Sequence, residues 1–416
     1  MQGVEVDGSH FEIVCFLIIH FRGWRRQPRL PAMSPLAIAC TGLVALAVAM
    51  GIGRFAFTPL LPLMQADAGV TVAQGGWLAA ANYAGYLGGA LVATVLRSGS
   101  AGGTRAALIA VATSTLAMGF TASFAAWMAL RFLAGWASAW VLVLVSAWAL
   151  EQIAATSPAG VPRREMLNAT VFAGVGAGIT AAGLLVLALI ALAASASDAW
   201  IALGVIALAG SLFIWQPLGD GAARTADGAC ERRRRPVQAT RLVLAYGTLG
   251  FGYIVPATFL PAMAKRMLDD PSLFGWSWPV FGAAATASTF LAARWRRRWS
   301  ARAVWSTSQL AMAAGVAVPV AWPALGGIVL SALLVGGTFM VVTMAGIQEA
   351  RRVAGGAART LIAAMTSAFA AGQVAGPLMV SALAGDANGF SIALACAATA
   401  LAAGALLLVP IERTLR

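Results

Sequence analysis

Gly51-Ile-Gly-Arg-Phe-Ala-Phe-Thr-Pro-Leu-Leu-Pro-Leu-Met64 is the stretch that decides the fold, because a related stretch occurs half a chain later. Its counterpart is Gly250-Phe-Gly-Tyr-Ile-Val-Pro-Ala-Thr-Phe-Leu-Pro-Ala-Met263, which keeps two glycines, a leucine, a proline and a methionine at a constant offset of 199 residues. The chain has 416 residues, so the offset is close to half its length. A half-chain repeat within apolar sequence indicates two structurally equivalent membrane bundles.

The composition is that of a membrane protein. Hydrophobic residues make up 60% of the chain and charged residues 10%, with a mean hydropathy of +0.82, whereas soluble domains are roughly 25% charged. Apolar segments long enough to cross a bilayer predict twelve helices. They lie at about 35–63, 74–96, 105–123, 126–150, 166–193, 198–217, 241–263, 272–293, 302–321, 323–347, 360–384 and 389–410. The sequence therefore predicts an all-α polytopic membrane protein whose twelve transmembrane helices form two pseudo-symmetric six-helix bundles.

The arginines predict the orientation of the helices. One alternate set of loops and helix ends carries nearly all the bases: Arg97, Arg105, Arg163, Arg164, Arg224, Arg232–Arg235, Arg294, Arg296–Arg298, Arg351, Arg352 and Arg359. The other set has only Lys265 and Arg266, next to Asp269 and Asp270. By the positive-inside rule the arginine-rich set is cytoplasmic, as are both termini. The +13 net charge forms no continuous face, which argues against a nucleic-acid partner.

The same pattern divides the chain into domains. We expect an N-terminal extension at 1–33, a six-helix bundle at 34–217, a basic cytoplasmic loop at 218–240, a second bundle at 241–410 and a tail at 411–416. The apolar patch in the extension is too short to span a bilayer, and its bases follow it instead of preceding it as in a signal peptide. Met33 stands directly before the first span, so we expect it to be the natural start.

Local motifs resemble those of the major facilitator superfamily. The predicted fourth helix carries Arg131-Phe-Leu-Ala-Gly-Trp-Ala-Ser-Ala139, and the eleventh carries Gly372-Gln-Val-Ala-Gly-Pro377, a pattern that antiporter members have in helix five. Ala81-Asn-Tyr-Ala-Gly-Tyr-Leu-Gly-Gly89 and the two repeated stretches narrow the resemblance to the YbfB/YjiJ branch, over about residues 34–410. The resemblance implies transport by alternating access, with helices one, four, seven and ten around the cavity, and implies no substrate.

Arg54 is the first candidate for a transport residue. It lies almost three turns from the nearer end of predicted helix one, too far for its side chain to reach the interface. We expect it to face an aqueous cavity or a partner on a transport pathway. Arg131 lies about one turn into helix four, where a transport role and a structural role are equally open. Tyr253 replaces Arg54 in the second copy and is either a cavity-lining hydroxyl or an interfacial aromatic.

The placement of the acids favours an anionic ligand. None of the 15 acidic residues falls in the central part of a predicted span, so the intramembrane arginines have no acid beside them. A guanidinium fork suits a carboxylate, and carriers of organic cations usually need an embedded acid. Glu151 and Glu349 occupy equivalent positions near the ends of helices four and ten. We expect each to latch an inner gate through Arg163, Arg164, Arg351 or Arg352, with proton coupling as the less favoured alternative.

Neutral residues complete the candidate site. Asn82, Tyr83 and Tyr86 can share a face of helix two, and Gln373 lies in helix eleven. Each could contact the solute or form a hydrogen bond between helices. Gating movement of helices one and seven is expected to depend on their repeated glycines and prolines, which are Gly51, Gly53, Pro62, Gly250, Gly252 and Pro261.

Enzymatic functions find no support in the sequence. The only histidines, His10 and His20, lie in the predicted extension, and no catalytic triad, phosphate-binding loop or metal-ligand cluster is present. We expect no cofactor and no metal. The prediction is a monomeric secondary transporter of a small organic, anionic solute in a bacterial inner membrane, with a coupling proton left open. The alternatives are an exporter of amphiphilic compounds and a non-transporting sensor or assembly factor on the same scaffold.

Overall fold

The computed structural model describes residues 33–95, 101–156, 162–218, 236–267, 275–295, 299–355 and 358–409. Within these residues the chain forms twelve long helices and no strand. They are α1 (Pro35–Asp67), α2 (Val72–Val95), α3 (Ala101–Ala117), α4 (Phe124–Thr156), α5 (Pro162–Ala191), α6 (Ala196–Phe213), α7 (Pro236–Met267), α8 (Ser277–Trp295), α9 (Ala301–Ala321), α10 (Leu325–Ala354), α11 (Ala358–Ala382) and α12 (Gly389–Leu407). The predicted extension lies almost entirely outside the described residues.

Ten of the described helices are long and apolar enough to cross a membrane. The other two are α2 and α8, whose polar and aromatic side chains lower their hydropathy. Both are covered by other helices, because α2 packs against α4 and α11 while α8 packs against α5 and α10. Because less of their surface faces lipid, fewer of their residues need to be apolar. Hydropathy alone therefore fails to identify these two helices as membrane spans.

Several helices continue beyond the predicted spans. The α4 helix ends at Thr156 and α10 at Ala354, about two turns past the predicted ends at 150 and 347. Hydropathy marks only the part of a helix that lies in hydrocarbon, about 30 Å thick. The polar residues that follow keep the helical backbone, so the predicted boundaries at these ends were too short.

The helix contacts of the first half of the chain recur between equivalent helices of the second half. The pairs α1–α5, α2–α4 and α3–α6 correspond to α7–α11, α8–α10 and α9–α12. The two halves meet where α2 contacts α11, where α5 contacts α8 and along α1 and α7. The predicted fold class is thereby confirmed. The domain limits stay a prediction, because residues 219–235 of the connecting loop lie outside the described part.

The repeated glycines allow helices of the same half to approach closely. A Cβ on Gly51 would overlap the backbone of Gly178 in α5, and one on Gly250 would overlap the backbone of Phe369 in α11. These are equivalent contacts, α1 with α5 and α7 with α11. The glycines conserved between the two copies therefore sit at packing contacts inside each half, as small residues do in membrane helix pairs.

The two halves are closed against each other at one end of the bundle. We call the end at which α1 finishes the distal end, and the other the proximal end. Residues 48–62 of α1 and 252–264 of α7 are buried without interruption, whereas burial is periodic nearer the proximal end. Thr58 Oγ1 donates a hydrogen bond to the carbonyl of Ala257, its equivalent in the repeat, at 2.8 Å. The distal parts of α1 and α7 thus fill the centre of the molecule.

Further hydrogen bonds join the halves at the distal end. Lys265 Nζ donates to the carbonyl of Pro62 at 2.9 Å, which links the ends of α7 and α1. Ser381 Oγ donates to the carbonyl of Ala73 at 2.9 Å, which links α11 to the start of α2. Tryptophans exposed by 37–60% lie near helix ends, as in the interfacial belts of membrane proteins. They are Trp77, Trp215, Trp276, Trp299 and Trp322.

Candidate functional site

The α1 helix changes its hydrogen-bond pattern halfway along. It widens into a π-helix at Ala47–Ile52, passes through a turn at 53–56 and resumes as an α-helix at Phe57. The Phe55 N–H bonds the carbonyl of Met50 at 3.0 Å, five residues back instead of four. Such π-helical turns are rare and are frequent at functional sites.

The prolines do not mark this irregularity. Pro59 lies in the first turn of the resumed helix, where no N–H is needed, and Pro62 lies inside that helix. In α7, Pro256 and Pro261 both lie within one continuous helix. The departure of α1 from regular helix therefore comes before its prolines, and the gating role expected of the repeated glycines and prolines stays a prediction.

The irregular turn frees two backbone carbonyls, and Arg131 satisfies both. The Thr58 N–H would bond the Arg54 carbonyl in a regular helix but bonds that of Phe55 at 3.2 Å. Arg131 Nη1 donates to the carbonyl of Gly53 at 3.2 Å, and its Nη2 donates to the carbonyl of Arg54 at 2.9 Å. Of the two roles left open for Arg131, these contacts favour the structural one. It supports the turn of α1 from α4.

Asn82 supports the same turn from α2. Its Nδ2 donates to the carbonyl of Arg131 at 2.8 Å and approaches that of Gly53 at 3.5 Å. The two helices can come this close because a Cβ on Gly135 would overlap the Asn82 carbonyl. Asn82 is buried, so it joins α1, α2 and α4 at one point.

Arg54 is buried among aromatic rings. It is 1% exposed, and its Cζ lies 3.9 Å from the ring centre of Tyr86 and 5.1 Å from those of Tyr83 and Phe55. Stacking of this kind stabilises a guanidinium by about 2 kcal/mol when it is desolvated. The expected partner is thus aromatic. Two donors of Arg54, Nε and Nη2, have no hydrogen-bond partner within the described part of the chain.

The acids of the described residues lie far along the helices from Arg54. They are Asp67, Glu151, Glu165, Asp198, Glu349 and Asp386. Each is in a loop or within about two turns of a helix end. The membrane interior that the structure describes therefore contains two buried guanidinium groups and no carboxylate in its central part. This agrees with the expectation from the sequence.

Tyr253 lies on the opposite side of the centre. It is fully buried and stacks between Phe339 and Phe369, with ring centres 4.7 and 5.5 Å away. Gln373 Nε2 donates a hydrogen bond to the Tyr253 hydroxyl. Phe339 also meets Phe55 of α1, with ring centres 6.2 Å apart. The residue equivalent to Arg54 is therefore an aromatic in the protein interior, and it does not lie at the membrane–water interface.

The structure brings most of the predicted site residues together. We call Arg54, Tyr83, Tyr86, Tyr253 and Gln373 the central cluster, which is contributed by α1, α2, α7 and α11. Asn82 and Arg131 lie next to it and bond the backbone of the α1 turn that carries Arg54. The sequence analysis missed the aromatic residues that complete this group. Phe339 and Phe369 belong to apolar helix faces, and no sequence signal separates them from ordinary packing residues.

Tyr83 connects the central cluster to the closed distal end. Its hydroxyl is hydrogen-bonded to Thr258 Oγ1 of α7 at 3.0 Å, while its ring lies against Arg54. Thr258 follows Ala257, which accepts the bond from Thr58. A solute that changed the position of Arg54 would therefore act directly on a contact between the two halves.

Glu349 forms ion pairs within the second half of the chain, and its role as a latch of the inner gate stays a prediction. Its side chain is fully buried, and its carboxylate accepts from Arg302 Nε at 2.8 Å and from Arg352 Nη2 at 2.7 Å. Arg352 was among the expected partners, but Arg302 was not, and both belong to the second half. Glu151 is exposed. The two acids are therefore unequal, because only Glu349 has a buried position facing α9.

Comparisons with known proteins agree with this fold. A family model described as "Uncharacterised MFS-type transporter YbfB" matches residues 46–409. Among solved structures, the chain is similar to the human organic anion transporter MFSD10 (TETRAN), with a TM-score of 0.62 and 18% identity, over 92% of this chain and 100% of that one. At this identity the likeness extends to the fold alone. No match is found among curated proteins.

Proposed function

The chain belongs to the YbfB family of MFS-type transporters, and from that premise we propose that it moves a small organic anion by alternating access. The family is one of multi-pass membrane transporters, which supports transport as the function. The anionic nature of the solute is supported by one observation above all. Arg54 is buried at the meeting point of the two halves with two free donors, and no carboxylate lies in the described central region.

The energetics of Arg54 favour a ligand over a purely structural role. Removing a guanidinium from water costs several kcal/mol unless it is paired, and cation–π contacts return only about 2 kcal/mol. A carboxylate would provide both the missing charge and two acceptors for the guanidinium fork. The human structure with the same fold is named as an organic anion transporter, which is consistent with this chemistry.

The closed distal end supports alternating access. Of the described arginines, Arg105, Arg163, Arg294, Arg351 and Arg352 lie near the proximal ends of their helices, so by the positive-inside rule we take the distal end as the outer one. The hydrogen bonds from Thr58, Lys265 and Ser381 would then form an outer gate. Transport requires this gate to open, which breaks these three hydrogen bonds, each contributing about 1–3 kcal/mol, and exposes the apolar surface buried between α1 and α7.

Solute exchange across a liposome membrane tests the proposal. Purified protein in proteoliposomes is expected to accelerate counterflow of labelled carboxylates and to leave cations and neutral sugars at the rate of empty liposomes. The measurement also separates the rivals: a sensor or assembly factor would bind without exchange, and an exporter of amphiphilic cations would exchange the cations. A rate unchanged by an imposed proton gradient would remove proton coupling.

Locking the outer gate should stop transport. A Cβ on Gly76 would lie 3.2 Å from the Cβ of Ser381 and 2.6 Å from the carbonyl oxygen of Pro377, so α2 and α11 must move slightly apart to accept it, toward the ~3.5–4.5 Å Cβ separation found in disulfides. In a background without the four natural cysteines, the pair Gly76→Cys and Ser381→Cys is expected to lose exchange on oxidation and regain it on reduction. Each single variant serves as the control. Full exchange by the cross-linked protein would show that the distal end does not have to open.

A further inference from the structure

Polar atoms at the centre of the protein are left without partners on both sides of the interface between halves. Arg54 offers two unpaired donors, Nε and Nη2, and Gln373, across the interface, has an unpaired acceptor, Oε1; next to Arg54, Arg131 Nε and Asn82 Oδ1 are unpaired as well. Arg54 is 1% exposed and Gln373 is fully buried. Each unsatisfied buried group costs about 1–3 kcal/mol, and native structures leave few of them without a reason. A bound solute would provide that reason.

The two sets of atoms require different chemistry from one solute. The Arg54 donors need acceptors, which the carboxylate of the proposed function supplies. Gln373 Oε1 can only accept, so the solute must also carry a hydrogen-bond donor. An ammonium group is disfavoured, because Arg54 and Arg131 are both cationic and the described central region has no carboxylate to balance a third cation. The donor that fits is a neutral hydroxyl.

Gln373 is held in position for such a contact. Its Nε2 is bonded to the Tyr253 hydroxyl, and the Tyr253 ring is fixed between Phe339 and Phe369. One of these rings, Phe339, contacts Phe55, and the ring centre of Phe55 lies 5.1 Å from the Arg54 guanidinium. A side chain fixed in this way loses little conformational entropy when it binds a ligand, so its hydrogen bond counts almost fully toward affinity.

We infer that Gln373 determines specificity by accepting a hydrogen bond from the hydroxyl of a hydroxycarboxylate whose carboxylate binds Arg54. The inference rests on the proposed function, since it assumes that the central cluster holds the solute. It goes further by separating hydroxylated from plain carboxylates. A site built around a hydroxyl disfavours the analogue that lacks it, because the buried acceptor is then left unpaired.

Matched pairs of carboxylates test the inference on the purified full-length chain. The probes are lactate with propionate, 3-hydroxybutyrate with butyrate, and mandelate with phenylacetate. Affinities come from the rise of the thermal unfolding midpoint with ligand concentration. In each pair we expect the hydroxylated member to bind about tenfold more tightly, equivalent to one hydrogen bond. Gln373→Leu is expected to reduce this ratio to about one while the plain carboxylates keep their affinity.

Two further variants keep the test decisive. Tyr253→Phe keeps the stacked ring but removes the hydroxyl that positions Gln373, so the ratio should fall in part. Gln348→Leu changes a half-buried glutamine of α10 outside the cluster and should leave the ratio unchanged. Equal affinities within each pair in the wild type, or a ratio that persists in Gln373→Leu, would overturn the inference. If both members still bound through Arg54, the proposed anion site would stand; if neither bound, both proposals would fall.

Discussion

Arg54→Met is expected to reduce carboxylate counterflow at least about 100-fold while raising the thermal stability of the solute-free protein. The loss follows because the guanidinium supplies two charge-assisted hydrogen bonds, each contributing about 1.5–3 kcal/mol, and a tenfold change in affinity corresponds to 1.4 kcal/mol. The gain follows because methionine removes an unpaired buried charge and fills a similar volume. A residue that lowers stability and is required for activity has the signature of a functional site.

Counterflow in proteoliposomes and unfolding in detergent measure the two effects separately. Arg54→Lys keeps the charge but loses the bidentate fork, so an intermediate rate is expected. Arg294→Met, at the exposed end of α8, is the matched control and should change neither quantity. Wild-type exchange by Arg54→Met would remove the anion site. A marked loss of stability in the same variant would instead make Arg54 a packing residue held by its tyrosines.

The fold could be predicted because its signals are strong and local. Twelve apolar segments and the repeat at 199 residues are readable in the sequence, and membrane burial forces each such segment to be helical. Arg54 was also predictable as an arginine enclosed by partners, because its depth in α1 excludes snorkelling. Its environment was not, since the tyrosines that cover it come from α2 and the sequence offers only their spacing.

The remaining parts of the site depend on contacts that no local pattern encodes. Tyr253 and Gln373 are 120 residues apart in the chain, and only the packing of α7 on α11 makes them partners. The π-helical segment Ala47–Ile52 consists mostly of ordinary apolar residues, so nothing in its composition marks a change of hydrogen-bond pattern. For that reason Arg131 could not be assigned a role. Its function depends on carbonyls that are free only because α1 is irregular.

Arg131→Met is expected to have the opposite effect on stability from Arg54→Met. It leaves the carbonyls of Gly53 and Arg54 buried without their charged donors, at a cost of about 1–3 kcal/mol each. We therefore expect a destabilisation of about 2–6 kcal/mol, with exchange lost because α1 no longer holds Arg54 in place. The thermal unfolding midpoint measures the first effect. Hydrogen exchange of the amides in residues 47–58 should accelerate and so locate the damage in the irregular turn.

A smaller change on α4 gives a reference value for the destabilisation expected of Arg131→Met. Ser138 lies two turns after Arg131 on α4, and its hydroxyl is 2.7 Å from the carbonyl of Ala49 in the π-helical segment. Ser138→Ala removes one neutral hydrogen bond and should cost about 1 kcal/mol, with exchange largely retained. If Arg131→Met were no less stable than Ser138→Ala, the guanidinium would not be supporting α1. The two buried arginines would then have to share the solute, because nothing else in the described interior requires a second cation beside the first.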